Sequence, residues 1–197
     1  VARLESGHTP SRRKPEYWGG DVPWIGIKDA REYHGREISN TQQYTNELGL
    51  ANSAARLLPA GTVCLSRTAS VGYVVVMGKE MATSQDFVNW VCSDVLEPEF
   101  LKHLLIAEKP AYRKFSSGAV HQTIYFPEVK AFHICIPHIS EQRKIVNLID
   151  AALTKTSRVR VLQEQKIAAL DELKQSILQK AFTGQLTAKS PELEAVP

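Results

Sequence analysis

The chain has 197 residues, of which 43% are hydrophobic and 23% are charged, and its formal net charge is +3. This composition is typical of a soluble globular protein. The sequence contains no apolar run long enough for a membrane-spanning helix and no signal peptide at its start, so neither a membrane nor a secretory location is expected.

The charge is spread unevenly along the chain. Residues 1–139 carry 15 Lys and Arg against 14 Asp and Glu, whereas residues 140–183 carry 8 against 5. A nearly neutral globular part can bind nucleic acid only if its positive groups are concentrated on one face. Composition alone therefore does not indicate DNA binding.

The three cysteines are isolated and lie in apolar, strand-like runs. Cys64, Cys92 and Cys135 are predicted to be buried, reduced thiols. Such thiols are typical of an intracellular protein, and we expect a cytoplasmic location.

The first 138 residues mix short strands with helices. The predicted strands are 22–27, 62–66, 71–77, 86–91 and 132–136. Apolar residues at helical spacing predict a helix over 98–107, and the polar stretch after Thr45 also has helical character. This order predicts an α+β fold, with a mixed-sheet globular domain over 1–138.

One long helix is predicted to follow, within the segment 139–184. Ser140 is a suitable N-cap, Glu141 places a carboxylate in the first turn, and Gly184 suits the C′ position. A helix of roughly 40 residues is about 60 Å long. A globular domain of this size cannot surround such a helix, so we expect it to pair with another helix, although a surface helix lying along its own domain remains an alternative.

The helix carries an apolar seam with coiled-coil spacing. The seam residues are Ile145, Ile149, Ala152, Val159, Leu162, Ile167, Leu170, Leu173 and Ile177. If the alternating spacing of three and four residues is continued strictly, it reaches the polar residues Gln163 and Lys166. The apolar residues in this stretch are instead the neighbouring Leu162 and Ile167. This predicts a local break in the repeat.

The search for catalytic chemistry gives a negative prediction. The segment from Gly72 to Lys79 superficially resembles a phosphate-binding loop, but its spacing is wrong and its β-branched residues predict a strand. The six histidines have no metal-ligand spacing. We therefore expect a protein that is not an enzyme and that holds no metal or cofactor.

Three loops and one further cluster have side chains suited to DNA. Hydroxyls and cations in the first loop suit phosphate contacts, the arginine of the second suits guanine or phosphate, and the third can address base edges. The candidate DNA-binding residues are Thr9, Ser11 and Arg12 in the first loop, Ser66, Arg67, Thr68 and Ser70 in the second, Ser117, Gly118, His121, Gln122 and Thr123 in the third, and Lys28 and Arg31 after the first strand. Each loop taken singly is also compatible with an ordinary solvated loop.

Several motifs together resemble the specificity subunit of type I restriction-modification enzymes. The motifs are TPSR and YWGGDVPWIGIKD near the start, LSRTASVG in the middle, SSGAVHQTIYFPEVKAFHICIPHISEQRKIVNLID, and LKQSILQKAFTGQL near the end. They occur in order over nearly the whole chain. The Pro-x-x-Ser-Glu-Gln-Arg-x-Ile start of a long helix that ends in Ala-Phe-Thr-Gly is the most specific of them.

The resemblance implies a non-catalytic DNA-recognition subunit. Residues 1–138 would be a target recognition domain that reads one half of a bipartite double-stranded site, and 139–184 the conserved spacer helix that docks the modification (methyltransferase) subunits. Through those subunits it would recruit the restriction subunit, and the methyl donor and ATP would bind to these partners. A full family member carries two such units with antiparallel helices, whereas this chain matches the second half, with a flexible tail at 185–197.

The single unit leaves two questions open. The helix could pair with a second copy of the chain, giving a dimer, or with a missing N-terminal half. The chain could also be a pure assembly module whose globular part binds protein rather than DNA.

Overall fold

The computed structural model describes residues 1–68, 70–110 and 123–186. The strands are β1 (Ala2–Ser6), β2 (Trp18–Ile25), β3 (Glu37–Ile38), β4 (Gln43–Thr45), β5 (Val63–Ser66), β6 (Val74–Met77), β7 (Ala82–Thr83) and β8 (Phe87–Cys92). The helices are α1 (Ile27–Glu32), α2 (Glu47–Ala51), α3 (Pro98–Ala107), α4 (Phe126–Lys130) and α5 (Ile139–Phe182), and a single 3-10 turn spans Pro15–Tyr17.

The strands form two mixed sheets. The larger sheet has the order β1-β8-β5-β6-β3 and is antiparallel except for the β3–β6 pair. The smaller sheet has the order β4-β2-β7, in which β2 runs antiparallel to β4 and parallel to β7. The predicted α+β fold with a mixed sheet and a long C-terminal helix is confirmed.

The central strands β5 and β6 are buried on both faces, and all of their residues except Ser66 are apolar. Val63 and Leu65 pack into a first cluster with residues of α3 and α4, whereas Cys64 packs into a second cluster with Ile25 of the smaller sheet. Alternate residues of one strand point to opposite faces. One run of apolar residues therefore builds both cores.

Three predicted strands differ from those observed. Strand β2 begins earlier than predicted and ends at Ile25, because α1 begins at Ile27. Strand β6 begins only at Val74, because the preceding residues turn through Gly72, whose φ is +101°. Residues 132–138 are neither strand nor helix, so the strand predicted over 132–136 is wrong. Half-buried Phe132 and Ile136 pack on the first cluster, and such alternation arises in extended chain whether or not it joins a sheet.

The helix α5 begins one residue before its predicted cap. The carbonyl of His138 accepts hydrogen bonds from the N–H groups of Glu141 and Gln142 at 2.8 and 3.1 Å, and its Nδ1 lies 3.3 Å from the N–H of Ser140. His138 therefore caps the helix where Ser140 was predicted to do so. At the other end Gly184 has φ +74°, as the prediction of a C′ glycine requires.

The chain divides into two compact units, Val1–Asn147 and Leu148–Pro197. The first turns of α5 belong to the first unit, where the side chain of Gln142 is fully buried. Its Oε1 accepts from the N–H of Glu97, and its Nε2 donates to the carbonyls of Val95 and Pro137, each at 2.9 Å. This buried amide joins the start of the helix to the globular unit.

The three cysteines differ in exposure. Cys64 is buried and Cys92 is half-buried, but Cys135 is exposed, so its predicted burial is wrong. The reason is that residue 135 lies in the unpaired segment 132–138 rather than in a strand.

None of the helices in the described ranges combines the length and apolar character needed to cross a membrane.

Candidate nucleic-acid interface

The turn 84–86 between β7 and β8 is where two of the predicted loops meet. The hydroxyl of Thr9 donates a hydrogen bond to Oε1 of Gln85. Nη2 of Arg67 donates to the carbonyl of Gln85 at 3.1 Å, and the backbone N–H of Arg67 donates to the carbonyl of Asp86 at 2.7 Å. Thr9 and Arg67, which are 58 positions apart in the sequence, thus both contact this short turn.

Two tryptophans of β2 hold the first loop. The indole N–H of Trp24 donates to the carbonyl of His8 at 3.1 Å, and that of Trp18 donates to the carbonyl of Ser11 at 3.3 Å. The guanidinium carbon of Arg12 lies 4.9 Å from the ring centroid of Trp18 and 5.2 Å from that of Trp24. Because cations are attracted to aromatic faces, the two rings fix the position of an otherwise exposed arginine.

Arg12 lies between two open clefts. One cleft, of about 410 Å³, is lined by Trp18, two glycines, Tyr44 and the pair Gln42 and Gln43, and Arg12 also lines it. The other, of about 420 Å³, is also lined by Arg12 and both glutamines, together with Lys28 and the turn 84–86 through Ser84 and Asp86. Thr9, Arg12, Lys28, Gln43, Arg67 and the turn 84–86 are called the rim below.

Asp29 joins two loops of the rim and is itself buried. Its carboxylate accepts hydrogen bonds from the N–H groups of Gly26 and Gln42, at 2.9 and 2.8 Å. The neighbouring Lys28 is exposed. The buried carboxylate therefore links the start of α1, which carries Lys28, to the start of β4, which carries Gln43.

Ser66 is buried and holds the second loop from inside. Its Oγ donates to the carbonyl of Ser70 and accepts from the N–H of Tyr73 at 2.8 Å, and its side chain has no exposed surface. Ser66 was predicted as a DNA contact, and the structure corrects this because the hydroxyl is used within the loop. Thr68 and Ser70 are half-buried, and Ala69 between them lies outside the described residues.

Arg67 lies against an aromatic ring as well as the turn. Its guanidinium carbon is 5.2 Å from the ring centroid of Phe126, and its buried Nε has no hydrogen-bond partner among the described residues. Its carbonyl accepts from the N–H of Ile124 at 2.9 Å, which places half-buried Thr123 next to the second loop. The predicted residues Ser117, Gly118, His121 and Gln122 lie outside the described residues.

Arg31 is exposed and points toward a different group of residues. Its guanidinium carbon lies 6.0 Å from the ring centroid of Tyr73, and Nζ of Lys109 lies 5.7 Å from the same ring. Burial lowers the pKa of the adjacent His34, whose ring is 5.6 Å from that of Tyr73. The histidine is therefore mostly neutral at pH 7, and the positive charge here comes from Arg31 and Lys109.

Sequence reasoning missed four residues of this surface. Trp18 and Trp24 were visible as aromatics beside the basic run at 12–14, which was a usable signal for a stacked arginine. Gln43 and Gln85 lie in polar stretches without any pattern. Only the folded chain brings them next to Arg12 and Thr9.

The exposed apolar seam is the main feature of the second unit. Apart from half-buried Ile149, every residue from Leu148 to Leu186 is exposed. The seam positions 149, 152, 156, 159, 163, 166, 170, 173 and 177 follow one alternating spacing, and α5 is continuous through all of them. The helix is continuous through Gln163 and Lys166, so the predicted break in the apolar repeat, where Leu162 and Ile167 take over the apolar character, is not a break in the helix itself. Ile145, the first predicted seam residue, packs against the first hydrophobic cluster instead.

Comparison with known proteins connects these features to one family. The family model for the type I restriction modification DNA specificity domain matches residues 1–170. The specificity subunit of the type I restriction enzyme MjaIX from Methanocaldococcus jannaschii is 30% identical over 151 residues, which cover 76% of this chain and 35% of the relative. The EcoprrI specificity subunit from Escherichia coli is 33% identical over 168 residues, covering 78% and 41%.

Solved structures share the fold. A chain from a study of complex assembly and conformational transition of the type I R-M system matches with a TM-score of 0.73 and 21% identity, over 92% of this chain and 43% of that one. The HsdS subunit from Thermoanaerobacter tengcongensis matches with a TM-score of 0.67 and 23% identity, over 93% and 43%. The chain thus spans roughly two fifths of the length of the proteins that it matches. With the family model matching residues 1–170, the chain belongs to the type I restriction modification DNA specificity domain family.

Proposed function

We propose that this chain is a non-catalytic specificity half-subunit that reads one half of a bipartite double-stranded DNA site. The rim carries the proposal, because it gathers cations and amides from five segments of the chain, and Arg12, Lys28 and Gln43 among them line open clefts. Guanidinium, ammonium and amide groups are the side chains that contact phosphates and base edges. The match to a DNA specificity domain favours this reading over a protein-binding assembly module.

The charge of the rim supports DNA as the ligand. Arg12, Lys28 and Arg67 contribute three positive groups against two nearby carboxylates, namely Asp86, which accepts a hydrogen bond from the hydroxyl of Ser84 at 3.0 Å, and the buried Asp29. The first 139 residues have a net charge of only +1, so concentrating cations at one rim gives local attraction that the average charge does not. Phosphate binding of this kind weakens as salt rises.

The second unit provides the proposed means of assembly. We infer that the apolar seam of α5 pairs with the same seam of a second copy, and that the helix also docks modification subunits. Two copies would restore most of the length of the relatives. In such a dimer, identical units would read a palindromic split site.

One antiparallel register suits the sequence of the seam. In an antiparallel pair of identical helices, the two residue numbers at each contact have the same sum. If Val159 faces Gln163 of the second copy, Ile149 therefore faces Leu173 and Ala152 faces Leu170. The same register brings Arg158 level with Glu164 of the second copy. Opposite charges that flank an apolar seam select a pairing in this way.

Methylation mapping of the host genome tests the proposed function. Strains with the gene intact, disrupted and restored would be compared. We expect one bipartite adenine-methylation motif to disappear on disruption and to return on restoration. The proposed function also places the protein in the cytoplasm, where the genome is methylated. An unchanged set of methylated motifs in the disrupted strain would contradict the proposal.

A further inference from the structure

Arg12 and Gln43 form a hydrogen-bonded pair with a defined polarity. Nη2 of Arg12 donates to Oε1 of Gln43 at 3.0 Å. This bond orients the amide so that its Nε2 donors face away from the guanidinium. Arginine has five N–H donors and no acceptor, so the pair presents mainly donors to its surroundings.

The pair is held in place before any ligand arrives. Gln43 lies opposite Trp24 in the ladder between β2 and β4, and Trp24 is one of the two rings that flank Arg12. The carbonyl of Gln43 accepts from the hydroxyl of Thr41 at 2.7 Å, and the hydroxyl of Thr41 in turn accepts from the N–H of Trp24 at 3.2 Å. A side chain ordered in advance loses little entropy when it binds, which favours a contact that discriminates.

The pair is also accessible. Both side chains are exposed, and both line each of the two open clefts, of about 410 and 420 Å³. The pair is therefore open to a ligand, as contact with base edges in a groove of the duplex requires.

We propose that Arg12 and Gln43 together read the major-groove edge of one guanine, which makes Gln43 a specificity-determining residue of the half-site. This inference rests on the proposed function. In the major groove guanine presents two acceptors, N7 and O6, whereas adenine presents one acceptor and one donor, thymine one acceptor and a methyl group, and cytosine a donor. A group that offers mainly donors can therefore fill two acceptors only on guanine, and it leaves at least one donor without an acceptor on each of the other three bases.

Selection from a random duplex library by the full-length chain tests the inference. Wild type would be compared with Arg12→Lys, which keeps the charge but loses the planar fork, and with Gln43→Glu, which keeps an acceptor for Arg12 but loses the amide donors. Arg13→Lys is the matched control, since Arg13 is an exposed neighbour that lines neither cleft. We expect both test variants to lose preference for guanine at one and the same position, by roughly 5- to 150-fold, and the control to keep it.

The outcomes separate this inference from the function on which it rests. If wild type enriches no motif, the proposed function fails and this inference fails with it. If wild type enriches a motif and both variants retain every guanine in it, only the assignment of Arg12 and Gln43 is overturned. If Arg12→Lys weakens binding equally at all sequences, Arg12 contacts a phosphate and the inference is again overturned.

Discussion

The two units of this chain treat their apolar residues in opposite ways. In the first unit, Val1–Asn147, strands β5 and β6 are buried on both faces and form the centre of a closed core. In the second unit, residues such as Leu170 and Leu173 are each 55% exposed although they keep strict coiled-coil spacing. The first unit thus has a hydrophobic core of its own, whereas the second retains exposed apolar surface that association with another helix would bury. This difference is the basis on which we propose recognition for the first unit and assembly for the second.

Substituting the seam residue Val159 should have the largest effect. If the substitution did not weaken the dimer, the contrast drawn between the two units would be wrong. Val159→Asp places a carboxylate in the proposed seam of both copies, at a cost of about 2 kcal/mol per copy, so we expect the dissociation constant of the dimer to rise roughly 1000-fold. Sedimentation equilibrium measures the change.

Val161 is the matched control for this substitution. Val159 and Val161 are 52% and 50% exposed, yet two positions along a helix lie about 200° apart, on opposite sides. Val161→Asp should leave the dissociation constant nearly unchanged. Equal effects of the two substitutions would show that the seam is not the contact.

Removing the buried amide of Gln142 should destabilise only the first unit. Gln142→Ala leaves the N–H of Glu97 and the carbonyls of Val95 and Pro137 without their partner, which we expect to lower the free energy of unfolding by about 3 kcal/mol. Urea denaturation measures this change, with Gln165→Ala on the exposed part of the same helix as control. A loss no larger than that of the control would mean that Gln142 does not anchor the helix.

The reactivity of the three thiols tests how well the core of the first unit excludes solvent. Burial, with a smaller contribution from the nearby Glu97, raises the pKa of Cys92 from 9.0 to about 11. At pH 8 its reactive thiolate is therefore roughly 100-fold less populated than that of an ordinary thiol. We expect iodoacetamide to label exposed Cys135 first, Cys92 far more slowly and fully buried Cys64 only after unfolding, as followed by mass spectrometry. Early labelling of Cys64 would show that the space between the sheets is open.

The smallest expected effect concerns Arg67 at the rim. Arg67→Ala should weaken binding to the recognised site by roughly 1 to 3 kcal/mol if the guanidinium contacts a base. Fluorescence anisotropy on specific and random duplexes measures the loss, with Arg56→Ala as control because Arg56 pairs with Glu5 at 2.6 Å. An equal loss on both duplexes would assign Arg67 to a phosphate.

The elements with strong local patterns were predictable from the sequence. Helix α3 was predicted with its observed bounds, because Phe100 and Leu104 repeat at helical spacing behind a proline. Helix α5, over Ile139–Phe182, lies within the predicted segment 139–184. The strand predicted over 132–136 was wrong because periodicity reports which residues are buried and does not report whether a neighbouring strand is present.

The candidate site was predictable only in part, since it depends on contacts distant in sequence. Arg12 and Arg67 stood out as cations in small-residue loops, and the structure brings both to the rim. The burial of Ser66 and the partnership of Gln43 with Arg12 follow from sheet register, which the loop sequences do not encode.

Sedimentation of the unmodified chain tests the central claim most directly. Equilibrium runs across the micromolar range should give the mass of a dimer that dissociates on dilution, because the seam from Ile149 to Ile177 would bury its apolar surface only in a pair. A monomer at every concentration would contradict the assembly of two reading units through α5.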